Sequence, residues 1–298
     1  GMISIFLVCE FILFIRAFIN RKKEHKKKKL RKHLRRLIII SAVVYLSTQM
    51  IYLNSMKEAV DFYYGDFHAL KNISLSIPEN QVVAFIGPSG CGKSTLLSIL
   101  AGLVQPSGGQ AFIEGRPVCR GMGSVGYMLQ HDHLFEWRSI EQNVLLGLEL
   151  RRELTPETRA RAVRLLETYG LGEFRKATPR HLSGGMRQRA ALIRTLAPAP
   201  ALLLLDEAFS ALDYQTRLSV TNDIYSILRG EQATAILVTH DISEAVALSD
   251  RVVVLSARPA VVKAVHTIEM GGQSPQERRD DPRFREYFNT IWKELDLV

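Results

Sequence analysis

Nine residues constrain this chain more than any others: GPSGCGKST at 87–95. They follow VVAFI at 82–86, a short apolar run rich in β-branched residues, and they lead into LLSILAGL, an apolar helical stretch. A G-x-x-x-x-G-K-S run between a strand and a helix is built to wrap backbone N–H groups around phosphate oxygens. Gly87, Gly90 and Gly92 let the chain curl without Cβ clashes, and the helix N-terminus adds partial positive charge. Lys93 then supplies a point charge for the terminal phosphates, and the Ser94 hydroxyl is a ligand for Mg²⁺.

A second run supports the same chemistry. LLLLDEAF at 202–209 is an apolar strand ending in two acids, so burial of the strand delivers both carboxylates to one sheet edge. Asp206 is expected to hold Mg²⁺ directly or through water, and Glu207 to orient and deprotonate an attacking water.

The body of the chain alternates strands with helices. TAILVT at 234–239 and VVVL at 252–255 are further short apolar runs, as expected of parallel strands covered on both faces. The stretches 60–77 and 110–129 are more polar and rich in turns, which predicts an antiparallel β layer beside the main sheet. Residues 131–182 read as a mostly helical insert. Ser139 to Gln142 has the form of a capping box, Thr155–Pro156 starts a second helix, and Gly170 stops it.

Charge is unevenly placed. The chain of 298 residues carries 39 Lys and Arg against 30 Asp and Glu, a net +9. Twelve of the basic residues and only two acids fall in 1–56, leaving 27 against 28 in 57–298. The main domain therefore presents no excess of positive charge, and no nucleic-acid partner is expected. Cys9, Cys91 and Cys119 share no metal-ligand spacing and make no disulfide framework.

Residues 1–56 form an N-terminal extension with three open readings. The apolar runs at 2–19 and 37–46 flank RKKEHKKKKLRKHLRR at 21–36, and neither is long and clean enough for a confident membrane span. The extension is upstream sequence read from a misplaced start, with Met50 or Met56 the real one; or a segment held to anionic lipid by its basic run; or a disordered tail.

LSGGM at 182–186, followed by RQR, lies between the phosphate loop and the Asp-Glu strand and resembles the signature motif of ABC ATPases. Other marks of that family stand in family order. Gln130 resembles the Q-loop glutamine, SALD at 210–213 the D-loop, and His240 the switch histidine; Tyr64 sits where the family stacks an aromatic on adenine. The resemblance covers about 57–255 and implies an α/β P-loop NTPase of ABC type: a mostly parallel core sheet, an antiparallel β layer and a helical subdomain. The nucleotide-binding domain is then 57–298, with a short tail from about 256.

The resemblance also implies a set of roles. ATP contacts Tyr64 and the loop Gly87, Pro88, Ser89, Gly90, Cys91, Gly92, Lys93, Ser94 and Thr95. Mg²⁺ is held by Ser94, Gln130 and Asp206. Glu207, His240, Lys93 and Gln130 carry catalysis. A second copy packs head to tail, and its Ser183, Gly184, Gly185 and Asp213 complete each site in trans.

The single nucleotide-binding domain implies a separate transmembrane permease and places the subunit on the cytoplasmic face of the membrane. HDHLFEWRSIEQNV at 131–144, SARP at 256–259 and REYFNTIWKEL at 285–295 resemble the nitrate/sulfonate/taurine importer group, with Glu136 departing from the usual Pro. Phe135 and Trp137 are then expected in the groove that receives the permease, and an extracytoplasmic solute-binding protein acts further along the same assembly. The alternatives are an exporter ATPase, or a soluble ABC ATPase of DNA repair or translation. The latter brings coiled-coil insertions, zinc sites or a second nucleotide domain, none of which is legible here.

Overall fold

The computed structural model describes residues 58–121, 123–210 and 212–295. The N-terminal extension and its three readings lie outside the described residues.

A six-stranded sheet forms the centre, in the order β11-β10-β3-β9-β8-β7. Its strands are β3 (Val82–Ile86), β7 (Val125–Met128), β8 (Leu202–Asp206), β9 (Ala235–Val238), β10 (Arg251–Leu255) and β11 (Val262–Thr267). All neighbours pair in parallel except β11, which runs antiparallel to β10 at the edge. All five residues of β3 and all four of β9 are buried. Side-chain alternation explains why. Val82, Ala84, Ile86, Leu203, Leu205 and Leu237 enter one apolar cluster, while Val83, Phe85, Leu202, Leu204, Ile236 and Val238 enter another on the opposite face. A continuous apolar run is thus what a strand between two cores requires.

One face is covered by α1 (Lys93–Leu100) and by an antiparallel layer, β2-β1-β4, built from β1 (Glu58–Tyr64), β2 (Phe67–Ile73) and β4 (Gly108–Gln110). A short hairpin, β5 (Phe112–Ile113) with β6 (Arg116–Pro117), follows it. The other face receives α2 (Ile140–Arg151), α3 (Pro156–Thr168), α4 (Gly184–Leu196) and α5 (Tyr214–Gly230).

The caps read in the sequence form as expected. Ser139 and Gln142 make a reciprocal capping box on α2, Thr155 caps α3 with Pro156 at its first turn, and Gly170 lies just beyond with φ +75°. The expectation for 110–129 needs correction at its end. Val125–Met128 joins the main sheet in parallel with β8 instead of the antiparallel layer. Its apolar partner on β8 outweighs its own mixed composition, because Gly126 packs closely against Leu203 and Thr195 where a Cβ would not fit.

Residues 256–295 of the tail form regular elements. After β10 the chain forms β11, then α7 (Pro275–Asp280) and α8 (Pro282–Glu294), which follow α6 (Ile242–Leu248). Arg278 on α7 is fully buried, and its guanidinium donates to the carbonyls of Met270, Ala247 and Ser249 at 3.1, 3.2 and 2.8 Å. It caps the C-terminal end of α6, where unpaired carbonyls carry partial negative charge. No helix among the described residues is long and apolar enough to cross a membrane.

Candidate nucleotide site

The strand order builds the site. β3, β9, β8 and β7 lie side by side and parallel, so their carboxyl ends share one edge. That edge carries, in spatial order, the phosphate loop after β3, His240 after β9, Asp206 and Glu207 at the end of β8, and Gln130 just past β7. Open α/β sheets place ligands at this edge.

The loop 87–95 curls over the start of α1. Gly92 caps this helix with φ 124°, a conformation closed to other residues, and a Cβ there would fall 2.7 Å from Leu70 Cδ2. Lys93 is 7% exposed and turns back over the loop. Its Nζ donates to the carbonyls of Gly87 at 2.7 Å and Pro88 at 3.0 Å, with buried Cys91 Sγ at 3.9 Å. The ammonium is thereby held beside the turn, where it can meet a phosphate. Tyr64 is exposed at the tip of the β1–β2 hairpin, and its hydroxyl lies 3.3 Å from Thr95 Oγ1. An aromatic ring therefore stands beside the phosphate loop.

The two carboxylates have different surroundings. Asp206 accepts a hydrogen bond from the Tyr127 hydroxyl at 3.1 Å. Burial and the neighbouring Glu207 charge raise its pKa, against the Tyr127, Ser94 and Lys93 contacts that lower it. Burial and Asp206 in turn push the Tyr127 phenol above its ordinary range, so Tyr127 stays a donor. A half-buried carboxylate with a raised pKa is one that a cation would stabilise, and Ser94 lies within its reach. An oxygen pair of this kind, completed by phosphate and water, suits Mg²⁺.

Glu207 has φ 47°, unusual for a residue with a Cβ. Its carbonyl is tied by Ser210, through N–H at 3.1 Å and Oγ–H at 2.9 Å. Its Oε1 lies 3.5 Å from His240 Nδ1. The Glu207 side chain is 31% exposed and that of His240 is 58% exposed, so both remain open to a ligand. Gln130 donates to Ser210 Oγ at 3.0 Å, which links the end of β7 to the Glu207 turn.

Tyr127, Thr239 and Glu244 were not legible as site residues, and Ser210 was legible only as the first residue of the SALD run. Glu244 is buried and accepts from Thr239 Oγ1 at 2.7 Å; its pKa is raised, chiefly by burial. Asp241 caps α6 by accepting from the N–H groups of Ser243 and Glu244 at 2.7 and 3.2 Å. Together they fix the turn that presents His240. The Asp241-x-x-Glu244 spacing before a helix was the available signal.

The signature residues form a second group. Ser183 caps α4, with Oγ accepting from Met186 N–H at 3.3 Å, so the serine oxygen is engaged within its own helix. Gly184 packs near Leu212, and Asp213 caps α5 by accepting from Thr216 N–H at 3.0 Å. These turns neighbour each other, yet among the described residues no hydrogen bond or ion pair joins Ser183, Gly184, Gly185 or Asp213 to residues 87–95.

A third group lies along 131–138. Phe135 and Trp137 stack with ring centroids 4.7 Å apart, and Trp137 is 78% exposed. Buried Asn143 accepts from Phe135 N–H at 2.7 Å and donates to the carbonyls of Phe135, Arg138 and Ser139 at 3.1, 3.3 and 3.0 Å. Arg187 on α4 donates to Asp132 at 2.9 and 3.2 Å and pairs with Glu136 at 3.1 Å. Burial alone would raise the Asp132 pKa, but the Arg187 hydrogen bond and neighbouring charges lower it below the ordinary value. Glu136, the departure from the importer pattern, thus has a charged partner on the signature helix.

The fold and this strand edge define an ABC-type nucleotide-hydrolysing cassette. The ABC transporter family description matches residues 70–210. The chain is 51% identical over 232 residues to the Uncharacterized ABC transporter ATP-binding protein YtlC of Bacillus subtilis, covering 77% of this chain and 89% of that one. It is 40% identical over 233 residues to the nitrate import ATP-binding protein NrtD of Synechocystis, covering 76% and 88%, and 45% identical over 196 residues to the aliphatic sulfonates import ATP-binding protein SsuB of Mycobacterium avium, covering 66% and 75%. The dimeric post-hydrolysis structure of the ATP-binding cassette MJ0796 with ADP and Pi superposes with TM-score 0.59 at 27% identity, covering 72% of this chain and 98% of that one. The protein belongs to the ABC transporter ATP-binding family and is an ATPase of that class.

Proposed function

We propose that this chain is the energy-supplying subunit of an importer of the nitrate/sulfonate/taurine type. The observation that carries the energy-supplying part of the reading is the shared strand edge, which sets Lys93, His240, Asp206 and Glu207 side by side with Glu207 3.5 Å from His240; the importer part rests on the relatives. The 57–298 domain binds ATP, with Tyr64 against adenine and Gly87–Thr95 around the phosphates. Ser94, Gln130 and Asp206 would hold Mg²⁺, which would neutralise phosphate charge. Glu207 orients the attacking water and takes its proton. Lys93 and His240 donate to the γ-phosphate as negative charge develops on it.

Two copies act head to tail, each site being completed by Ser183, Gly184, Gly185 and Asp213 of the other copy. Ser183, Gly184 and Asp213 are exposed and, among the described residues, make no hydrogen bond or ion pair to the phosphate loop of their own chain, which supports this assembly. The dimeric MJ0796 cassette supports it independently. The likeness to NrtD and SsuB supports import as the coupled process and the anionic solute class. Exposed Trp137, stacked on half-buried Phe135, supports a permease groove at 131–138, which would hold the subunit at the cytoplasmic face of the membrane.

Glu207→Gln keeps shape and removes the base. ATP hydrolysis should fall at least about a hundredfold while ATP binding persists. A variant that loses nucleotide binding together with turnover would show Glu207 to be structural.

A further inference from the structure

Beyond β10 the chain turns back across the mouth of the phosphate loop. Ser256 braces this turn, its Oγ lying 2.7 Å from the Ala257 carbonyl and accepting from Val261 N–H at 3.0 Å. Ala260 fastens it to β2, donating to the Ala69 carbonyl and accepting from Lys71 N–H, both at 2.9 Å. The charged side chain on the turn is Arg258. Its Nε donates to the Gly90 carbonyl, and its guanidinium lies over the Phe67 ring, 5.4 Å from the centroid.

Two further details make this contact specific. Gly90 has φ +69°, and the space its missing Cβ would occupy is taken by the guanidinium. Phe67 pairs with Tyr64 across the hairpin, and the Tyr64 hydroxyl reaches Thr95. The hairpin tip therefore touches the phosphate loop at two points: at Thr95 through Tyr64, and at Gly90 through Phe67 and Arg258. A guanidinium suits the second link because its plane can stack on a ring while its edge donates to a carbonyl.

We propose that Arg258 is a positioning residue for nucleotide binding: it sets the separation between the hairpin that carries Tyr64 and the loop that holds the phosphates, so that a ligand bearing both an adenine and a triphosphate is held at both ends. The inference rests on the adenine role proposed for Tyr64. It concerns affinity for the whole nucleotide, and the proton transfer at Glu207 proceeds without it.

The test uses the full chain, with KM and kcat for ATP hydrolysis and Kd for ATP and for inorganic tripolyphosphate, which offers no base to Tyr64. Arg258→Ala should raise KM and Kd for ATP about tenfold, with kcat at saturation within about twofold of wild type. Tripolyphosphate affinity should change less than about threefold, since its site needs only the loop. Arg258→Lys should recover part of the ATP affinity, because the carbonyl contact survives. Phe67→Leu should shift ATP affinity in the same direction, and the double variant should be no worse than Arg258→Ala. Unchanged ATP affinity, equal losses for both ligands, or a lower kcat at constant KM would each overturn the proposal. If Arg258→Ala does not fold, Phe67→Leu carries the same comparison between the two ligands, with the same outcomes deciding it. Tyr64→Ala separates the two layers. Unchanged ATP affinity in that variant removes the adenine role and this inference with it, whereas weakened affinity there beside an unaffected Arg258→Ala removes this inference alone.

Discussion

The phosphate loop at 87–95 and the aromatic segment at 131–138 lie at the ends of two strands of one sheet, yet they are held by opposite means. The loop is shaped chiefly by its own backbone, with the Arg258 side chain as one polar contact from elsewhere. Its glycines press against Leu255, Arg258 and Leu70, and Lys93 donates to carbonyls of the loop itself. The segment is shaped by side chains from elsewhere. Asn143 on α2 holds Phe135, while Arg187 and Arg194 on α4 hold Asp132 and the carbonyls of Asp132 and His133. A backbone cradle tolerates almost no added volume, since its walls are packed atoms. A loop held by long polar side chains loses stability by degrees as each contact is removed, and Glu136 adds to the web by pairing with Arg187 and Arg180.

The contrast can be broken most directly at Gly92. A Cβ there meets Leu70 at 2.7 Å with φ at 124°, so Gly92→Ala should weaken ATP binding by at least about a hundredfold while the far end of the chain stays folded. Titration with a fluorescent ATP analogue reads this, and retained affinity would mean that backbone fit does not define the cradle. Asn143→Leu comes next. It strips four hydrogen bonds from a fully buried position and should cost about 2–3 kcal/mol in denaturant unfolding, with increased quenching of Trp137 fluorescence by solutes as the stack loosens. Arg187→Ala should be milder, at about 1–2 kcal/mol, because its partners Asp132 and Glu136 can turn to water. Nucleotide affinity should stay within about threefold in both segment variants. A loss of binding in Arg187→Ala comparable to that of Gly92→Ala would erase the distinction between the two regions.

Legibility followed the same division. Lys93, Asp206 and Glu207 could be placed from the sequence because each stands at the end of an apolar strand or in the loop after it, and parallel strands bring their ends to one edge; His240 was readable only through the family resemblance. The caps at Ser139 and Thr155 were readable because capping is local. The contacts of Tyr127 and Ser210 were not, since the bond from Tyr127 to Asp206 spans 79 residues and the bond from Gln130 to Ser210 spans 80. The strand Val125–Met128 was assigned to the wrong layer because its partner, β8, decides its place. In the tail from 256 the sequence carries a family mark, while its strand and two helices depend on packing against β10 and α6.

By itself, then, the sequence determined the phosphate-loop pattern between a strand and a helix, the two acids at a strand end, the helix starts and the charge balance of 57–298, because each depends on residues close together in the chain or on composition. Tertiary structure alone decided that Asp206 sits half-buried against Tyr127 while Glu207 faces outward beside His240. It alone set Asp132 and Glu136 on Arg187, buried Arg278 under α6, and laid Arg258 across Gly90. The physical reason is that burial and charge pairing depend on distances between segments, and only the closed sheet sets those distances.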